Sequence, residues 1–215
     1  MRKSRIWIKG KSISTDVQRL DFWGESLSDR DIKTLVQCKN LRYLDLHFND
    51  FCDIAPLAEL LHLEYLDLGV NQLSDISGIA GIKSLKSLKL VSNRISDISA
   101  LAGLKQLTEL ILWGNDIVDL TPLAGLSQLR ILDISSNLIS SISPLSGLVK
   151  LENLVLDDNK IEDFTPLLNL PKINAAGIAK DYLFDCEWFR HYRVEAGGFC
   201  DNEEVSGNVF IRHRA

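Results

Sequence analysis

Cysteine and histidine, which often act as nucleophiles, proton carriers or metal ligands, are few in this 215-residue chain, which holds four of each. No C-x-x-C pair is present. His47, His62 and Cys52 are close in sequence but are expected on different faces, so they do not converge as the tetrahedral ligands of zinc must. Motifs for phosphate binding, serine hydrolysis, zinc proteolysis and protein phosphorylation are missing. The sequence therefore predicts no enzyme activity, no bound metal and no cofactor.

One catalytic alternative lies near the C-terminus. His191 and Cys200 could approach each other and form a nucleophilic pair, but the sequence supplies neither a third group nor an oxyanion hole. Cys186 and Cys200 could instead form a disulfide bond if the protein were secreted. With only four scattered cysteines, we expect a reduced, cytoplasmic protein.

A second kind of chemistry, recognition of a cationic partner, is indicated by three aspartates at nearly equal spacing. Asp21, Asp45 and Asp67 each follow a leucine and are 24 and 22 residues apart. On neighbouring strands these carboxylates would form a column of like charges, which costs stability unless a cation neutralises it. Beside them we expect exposed aromatic anchors of the kind found in protein interfaces, namely Trp23, Tyr43, Phe48, Tyr65 and, further along, Trp113. The Leu-Asp-Leu pattern of the repeat described next explains the aspartates equally well.

All these residues belong to a repeat of 22 residues that sets their positions. Six lines of the form L-x-x-L-x-L begin at Leu41, Leu63, Leu85, Leu107, Leu129 and Leu151. Each has an asparagine at its ninth position: Asn49, Asn71, Asn93, Asn115, Asn137 and Asn159. A 24-residue line from Val17 keeps the apolar spacing but has Glu25 at that position. We expect positions 1, 4 and 6 to point into a core shared by stacked parallel strands, and the asparagines to hydrogen-bond loop backbone.

This pattern resembles the leucine-rich repeat proteins, in the 22-residue class that includes bacterial internalins and a eukaryotic phosphatase-1 regulatory subunit. The specific mark is N-x-I-x-D-I-x-P-L, with variants such as NQLSDISGI at 71–79. The resemblance covers residues 17–172 and implies an α/β fold. The expected fold is a curved, right-handed solenoid with a parallel β-sheet on its concave side and short 3-10 or turn segments on its convex side. For function it implies a scaffold that suits many partners.

The flanks predict caps, because terminal repeats need closed ends. Residues 1–16 are expected to form a β-hairpin cap, residues 17–172 the seven repeats, and residues 173–215 an aromatic-rich C-terminal cap, all in a single folded domain. Within the last segment, the spacing predicts a helix near 178–194 and a final strand or hairpin in 205–213.

Charge and hydropathy exclude several partner classes. The chain carries a net charge of −5; five basic residues against one acidic residue give 1–16 a charge of +4, which leaves −9 for the remainder. An acidic repeat region binds nucleic acid or anionic membranes poorly. No apolar run approaches the ~18 residues of a membrane-spanning helix, and the basic start lacks an apolar signal segment.

The sequence thus predicts a non-catalytic protein–protein interaction module. Positions 3, 5, 7 and 8 of each repeat would point outward from the concave sheet, with the five aromatics as anchors and the three aspartates as charge contacts. The partner is expected to be a protein that offers lysine or arginine, rather than a small-molecule substrate, and the chain itself a monomer. The alternative is an intracellular inhibitor or immunity protein that blocks the active site of one toxin or enzyme. A phosphatase-regulating role rests on the resemblance alone, and the missing signal segment argues against an adhesin.

Overall fold

The computed structural model describes residues 4–173 and 208–210, and its main feature is a parallel sheet with one short strand per repeat. The repeat strands are β3 (Arg19–Asp21), β4 (Tyr43–Asp45), β5 (Tyr65–Asp67), β6 (Ser87–Lys89), β7 (Glu109–Ile111), β8 (Ile131–Asp133) and β9 (Asn153–Val155). Each strand pairs in parallel with the next, so that the same repeat position lies side by side along the sheet. The sequence prediction of a curved leucine-rich repeat solenoid is confirmed.

The core runs the length of this stack. In the repeat that begins at Leu85, the side chains at positions 1, 4 and 6 (Leu85, Leu88 and Leu90) are fully buried, as are Ile95 and Leu101 on the way back to the next strand. A three-residue strand cannot bury an apolar face alone, so each repeat is stabilised by its neighbours. The aromatic and acidic residues at positions 3 and 5 are therefore carried on a surface with little freedom to move.

The convex side returns the chain through short helical segments. Six 3-10 segments span Ala55–Glu59, Ser77–Ile79, Ser99–Gly103, Thr121–Leu123, Ser143–Leu145 and Thr165–Asn169. The first repeat, which is two residues longer, has a short α-helix instead, α1 (Asp29–Leu35). The Asp31 carboxylate accepts hydrogen bonds from both the backbone N–H and the hydroxyl of Ser28 at the start of α1, an arrangement that stabilises helix N-termini.

Aspartates begin most of the 3-10 segments. Five carboxylates each accept the backbone N–H of the residue two positions later, at 2.7–2.9 Å; they are Asp53, Asp75, Asp97, Asp119 and Asp163. The hydrogen bonds from Ser77, Thr121 and Thr165 lower the pKa of Asp75, Asp119 and Asp163. The convex aspartates are thus structural.

The ninth-position asparagines tie each repeat to the one before it. The Asn115 amide donates to the carbonyls of Leu90 and Leu112 at 2.9 Å, and its carbonyl accepts the N–H of Ile95 at 3.1 Å. The same three bonds recur at Asn49, Asn71, Asn93, Asn137 and Asn159. The predicted role of the asparagines is confirmed. We refer to these six residues as the asparagine ladder.

The first repeat has glutamate in place of asparagine for a physical reason. Two of the three ladder bonds reach back to a preceding repeat, and the first repeat has none. Glu25 instead pairs with Lys11 of the N-terminal hairpin at 2.7 Å. That hairpin consists of β1 (Arg5–Ile8) and β2 (Lys11–Ser14), joined by a turn at Lys9 and Gly10.

The hairpin covers one end of the core, and a strand lies at the other end. Ile6, Ile8 and Ile13 are buried, whereas Trp7 faces outward and is 68% exposed. At the far end β10 (Asn208–Phe210), inside the segment where a strand was predicted, pairs in parallel with β9. The helix predicted near 178–194 lies outside the described residues, and the domain boundaries remain predictions. No helix among the described residues is long and apolar enough to cross a membrane.

Each strand leaves the sheet through a residue in the left-handed conformation at repeat position 8. Those residues are Gly24, Phe48, Val70, Ser92, Gly114, Ser136 and Asp158, with φ between 49° and 70°. This conformation is costly for residues with a side-chain branch at Cβ. Val70, at φ 50°, is therefore the position where the turn and the side chain conflict most.

The asparagine ladder predicts a large effect of a small truncation. Asn115→Ala would leave the Ile95 N–H and the carbonyls of Leu90 and Leu112 without their partner in a buried position, and we expect a loss of about 3 kcal/mol in unfolding free energy. Urea denaturation measures this loss. Gln106→Ala, on the exposed surface, is the control and should change stability by less than about 0.5 kcal/mol. Equal effects of the two substitutions would contradict the assigned role.

The strained turn predicts a stabilising substitution. Val70→Asn keeps the backbone bond from residue 70 to the Val91 carbonyl and replaces a branched residue by one that tolerates positive φ, so unfolding free energy should rise by about 1 kcal/mol. Val91→Asn, in the next repeat at a position without positive φ, should give no such gain. Differential scanning calorimetry of both variants tests the difference. A lower melting temperature for Val70→Asn would refute the argument.

Candidate functional site

The three predicted aspartates form a column on the concave side of the sheet. Asp21, Asp45 and Asp67 are direct register partners on β3, β4 and β5. One oxygen of each carboxylate accepts the backbone N–H of the residue two positions later, at 2.9–3.2 Å. Asp133 on β8 makes the same bond although its neighbours are not acidic. One carboxylate oxygen thus serves the repeat, and the second oxygen of Asp67 accepts the Tyr65 hydroxyl at 3.3 Å.

The middle carboxylate of the column is the least compensated. Lys89 lies in register with Asp67, and Arg19 lies two residues before Asp21 on the same strand. Asp45 has a like charge on each side and forms no ion pair with any described residue. Its pKa is raised, mainly by burial and then by the charges of Asp67 and Asp21, while the His47 N–H opposes the rise. Ionisation of Asp45 is therefore less favourable in the folded protein than in the unfolded chain.

The His47 side chain lies next to Gly69 and approaches the aspartate column. Its Nδ1 lies 3.4 Å from an oxygen of Asp67. A side chain at position 69 would place its Cβ 2.5 Å from that Nδ1, so Gly69 is what makes room for the imidazole ring. The sequence places His47 and Gly69 at position 7 of neighbouring repeats, but the prediction did not include the contact with Asp67, since it depends on the rotamer of the imidazole ring.

Tyr43 and Tyr65 form a stack with a cation at each end. Their rings are 4.2 Å apart and nearly parallel, at 3°. The Arg19 guanidinium lies 3.4 Å from the Tyr43 ring centre, and the Lys89 ammonium lies 5.5 Å from that of Tyr65. The Tyr65 hydroxyl donates to Asp67, and burial together with the Asp67 charge raises the pKa of Tyr65 far above its ordinary value. Both rings are half-buried, so they form the floor of the site.

Trp23 and Phe48 project from this floor. They are 63% and 57% exposed, and their rings are stacked with centres 6.2 Å apart. Exposed aromatic pairs on a rigid surface are the usual anchors of protein interfaces. Seven of the eight predicted site residues thus lie together, and we call them the acidic–aromatic cluster: Asp21, Trp23, Tyr43, Asp45, Phe48, Tyr65 and Asp67.

Trp113, the eighth predicted residue, lies elsewhere on the same face. It follows β7, is 43% exposed, and donates from its indole N–H to Ser136 at 3.1 Å. Ile111 precedes it by two residues, and Ile131, on β8, is 36% exposed. With Val91 these residues form what we call the apolar patch: Val91, Ile111, Trp113 and Ile131. Ile131 was not among the predicted contacts, although its position 3 places it on the same face.

Metal-ligand clusters and the state of the two cysteines bear on catalysis in the part of the chain that the structure describes. No three histidine, cysteine, aspartate or glutamate side chains in 4–173 are grouped so that they could hold a metal ion. The exposed Cys52 thiol donates to Asp29 at 3.1 Å, and this hydrogen bond and charge raise the pKa of the thiol, which is the opposite of what a nucleophilic cysteine needs. Cys38 is buried. His191, Cys186 and Cys200 lie outside the described residues.

A solenoid with an exposed concave face places the protein among repeat scaffolds that bind other macromolecules. The family model for leucine-rich repeats in pairs matches five overlapping segments that together span residues 39–169. The chain belongs to the leucine-rich repeat family. A comparison with curated proteins gives no match.

Solved structures agree with this assignment. An internalin (inlF) from Listeria monocytogenes is 31% identical, with a TM-score of 0.72 over 76% of this chain and 49% of its own. Internalin C2 from the same organism is 37% identical, with a TM-score of 0.70 over 76% and 73% of the two chains. A plant peptide hormone receptor, solved in complex with RGF2, is 26% identical, with a TM-score of 0.58 over 65% and 24%. The chain spans about half of the inlF structure.

The aspartate column predicts that removing one charge stabilises the free protein. Asp45→Asn keeps an acceptor for the His47 N–H and removes the repulsion, so unfolding free energy at pH 7 should rise by about 0.2–1 kcal/mol. Because the folded state raises the pKa of Asp45, the wild-type protein loses stability as pH rises above the ordinary aspartate value. The advantage of the variant should therefore shrink as pH falls toward about 4.

A matched control separates charge from fold. Asp97→Asn, on the convex side, also keeps the acceptor for a backbone N–H, that of Ser99, but has no acidic column around it. Denaturant titrations of both variants between pH 7 and pH 4 give the comparison. The interpretation fails if the gain from Asp45→Asn does not exceed that from Asp97→Asn at pH 7.

Proposed function

We propose that the protein is a non-catalytic binding module that holds a partner protein on its concave face, with the acidic–aromatic cluster as the main contact. Binding of proteins or peptides is the general role of leucine-rich repeat scaffolds, and the plant receptor that shares the fold was solved in complex with RGF2. The observation that carries the proposal is the position of Asp45. An uncompensated carboxylate lies between two others and beside two exposed rings, an arrangement that disfavours the free protein and suits a cationic partner.

The two kinds of residue in the cluster would contribute in different ways. Trp23 and Phe48 would supply most of the affinity, because buried aromatic anchors dominate binding energies at interfaces. The aspartates would chiefly raise the association rate and the specificity for partners that present lysine or arginine. The asparagine ladder holds the strands in place before binding, so few protein groups need to be ordered when the partner arrives.

A narrower role, an intracellular inhibitor or immunity protein, has support in the same charge pattern. An acidic concave face suits a basic active site, such as that of a nuclease. Seven strands at ~4.8 Å spacing give a surface roughly 30 Å long, large enough to cover one. Tight, one-to-one and salt-sensitive binding would favour this role, whereas several weak partners would favour a general adaptor.

Affinity capture with matched variants tests the proposal. Trp23→Ala should weaken binding of a captured host protein at least tenfold, because truncated aromatic anchors cost about 2 kcal/mol or more. The melting temperature should stay within a degree or two, since the Trp23 side chain is largely exposed. Trp7→Ala removes an equally exposed tryptophan from the outer face of the hairpin and should leave binding unchanged.

The capture is made from a lysate of the native host at low and at high salt, and bound proteins are identified by mass spectrometry. Affinities for the identified protein are then measured by calorimetry with wild type and both variants. If Trp23→Ala binds as tightly as wild type, or if Trp7→Ala weakens binding equally, the acidic–aromatic cluster is not the contact.

A further inference from the structure

The concave face carries two surfaces of different chemistry. The acidic–aromatic cluster lies on β3 to β5, and the apolar patch is centred on β7 and β8. The carboxylate nearest the patch, that of Asp133, accepts both the N–H and the hydroxyl of Ser135. Both bonds go to one oxygen of Asp133, as the backbone bonds of the three column aspartates also do. The cluster thus holds three neighbouring carboxylates, whereas the apolar patch has the single carboxylate of Asp133 in register with Ile111.

A strip whose charges cancel separates the two surfaces. Glu109 accepts a hydrogen bond from Ser87 at 2.6 Å, and its other oxygen lies 3.9 Å from the Lys89 ammonium. Because these groups satisfy one another, the strip offers a partner neither a net charge nor an apolar anchor. The two surfaces are thus distinct sites on one rigid sheet.

Their separation is set by the strand spacing. Three strand steps lie between Asp45 on β4 and Ile111 on β7, which corresponds to about 14 Å. An extended peptide covers this distance in about four residues, and an α-helix in about nine or ten. One continuous segment can therefore reach both surfaces.

We infer that the partner is recognised through one segment that lies across the strands, with a lysine or arginine over the acidic–aromatic cluster and an aliphatic or aromatic side chain on the apolar patch about 14 Å away. This inference rests on the proposed function. The order of the two surfaces fixes the direction of the segment, since its basic end must face the N-terminal repeats.

The charges disfavour a second copy of the chain as the occupant. A two-fold pairing of concave faces would set the cluster of one copy against either the cluster or the apolar patch of the other. The first arrangement opposes like charges, and the second buries ionised carboxylates against apolar side chains. A separate chain with a basic end and an apolar end fits both surfaces at once.

A random peptide library tests the inference and does not require the partner to be identified. Phage-displayed random 16-residue peptides are selected on the intact protein. Enriched peptides should carry lysine or arginine and a large apolar residue about four, or about nine to ten, positions apart. Synthetic peptides of the enriched sequences should bind at least tenfold more weakly to Asp45→Asn and to Ile131→Ser.

Convex variants of the same chemistry are the controls. Asp97→Asn and Val118→Ser, the latter at a side chain that is 55% exposed, should bind these peptides as tightly as wild type. The direction of the bound peptide is determined by cross-linking from benzoylphenylalanine placed at position 131. This residue should cross-link to the apolar end of the peptide. Cross-linking to the basic end would overturn the inference.

Three other results would also overturn it: enriched peptides with only one of the two residue types, affinity that depends on only one of the two surfaces, and no enrichment above an unrelated immobilised protein. These outcomes are distinguishable from failure of the proposed function. If capture of a host protein depends on Trp23 but is insensitive to Ile131→Ser, the proposed binding function stands and recognition through a two-part segment is excluded.

Discussion

The asparagine ladder is the interaction on which the remaining structure depends. A parallel sheet of three-residue strands leaves many backbone groups in the loops without strand partners, and buried groups of this kind are costly. Each ladder asparagine satisfies two carbonyls and one N–H, in two adjacent repeats at once. The ladder therefore fixes the offset between repeats, and that offset places Asp45 beside Asp67 and Tyr43 against Tyr65.

Because the ladder and the leucine core hold the backbone, the concave positions are free to carry residues that do not favour folding. The aspartate column, the exposed Trp23–Phe48 pair and the left-handed Val70 each cost stability or gain none, yet they all lie on or next to the same face. Proteins tolerate such costs where function requires them. The convex aspartates differ from those of the column, because each accepts a hydrogen bond at the start of a 3-10 segment and so supports the fold.

Much of the fold could be predicted from the sequence because the repeat converts spacing into register. Once position 5 was assigned to the concave face, Asp21, Asp45 and Asp67 had to be neighbours. The side-chain geometry could not be predicted in the same way. The Tyr43–Tyr65 stack, and His47 over Gly69, depend on rotamers chosen against the adjacent repeat. Trp113 was expected further along the same face, because counting repeats places it two strands beyond Tyr65.

The modular connection between repeats has an evolutionary consequence for the two concave surfaces. Since each ladder side chain bonds only to its own repeat and the one before, loss or duplication of the 22-residue unit 85–106 would leave the side-chain bonds on either side chemically intact. Such an event would move the cluster and the patch closer together or further apart by one strand width, about 4.8 Å, and would leave the remaining residues of both unchanged. Duplication or loss of a repeat can thus change the distance between the two surfaces in steps of one strand, without changing the residue types that form them.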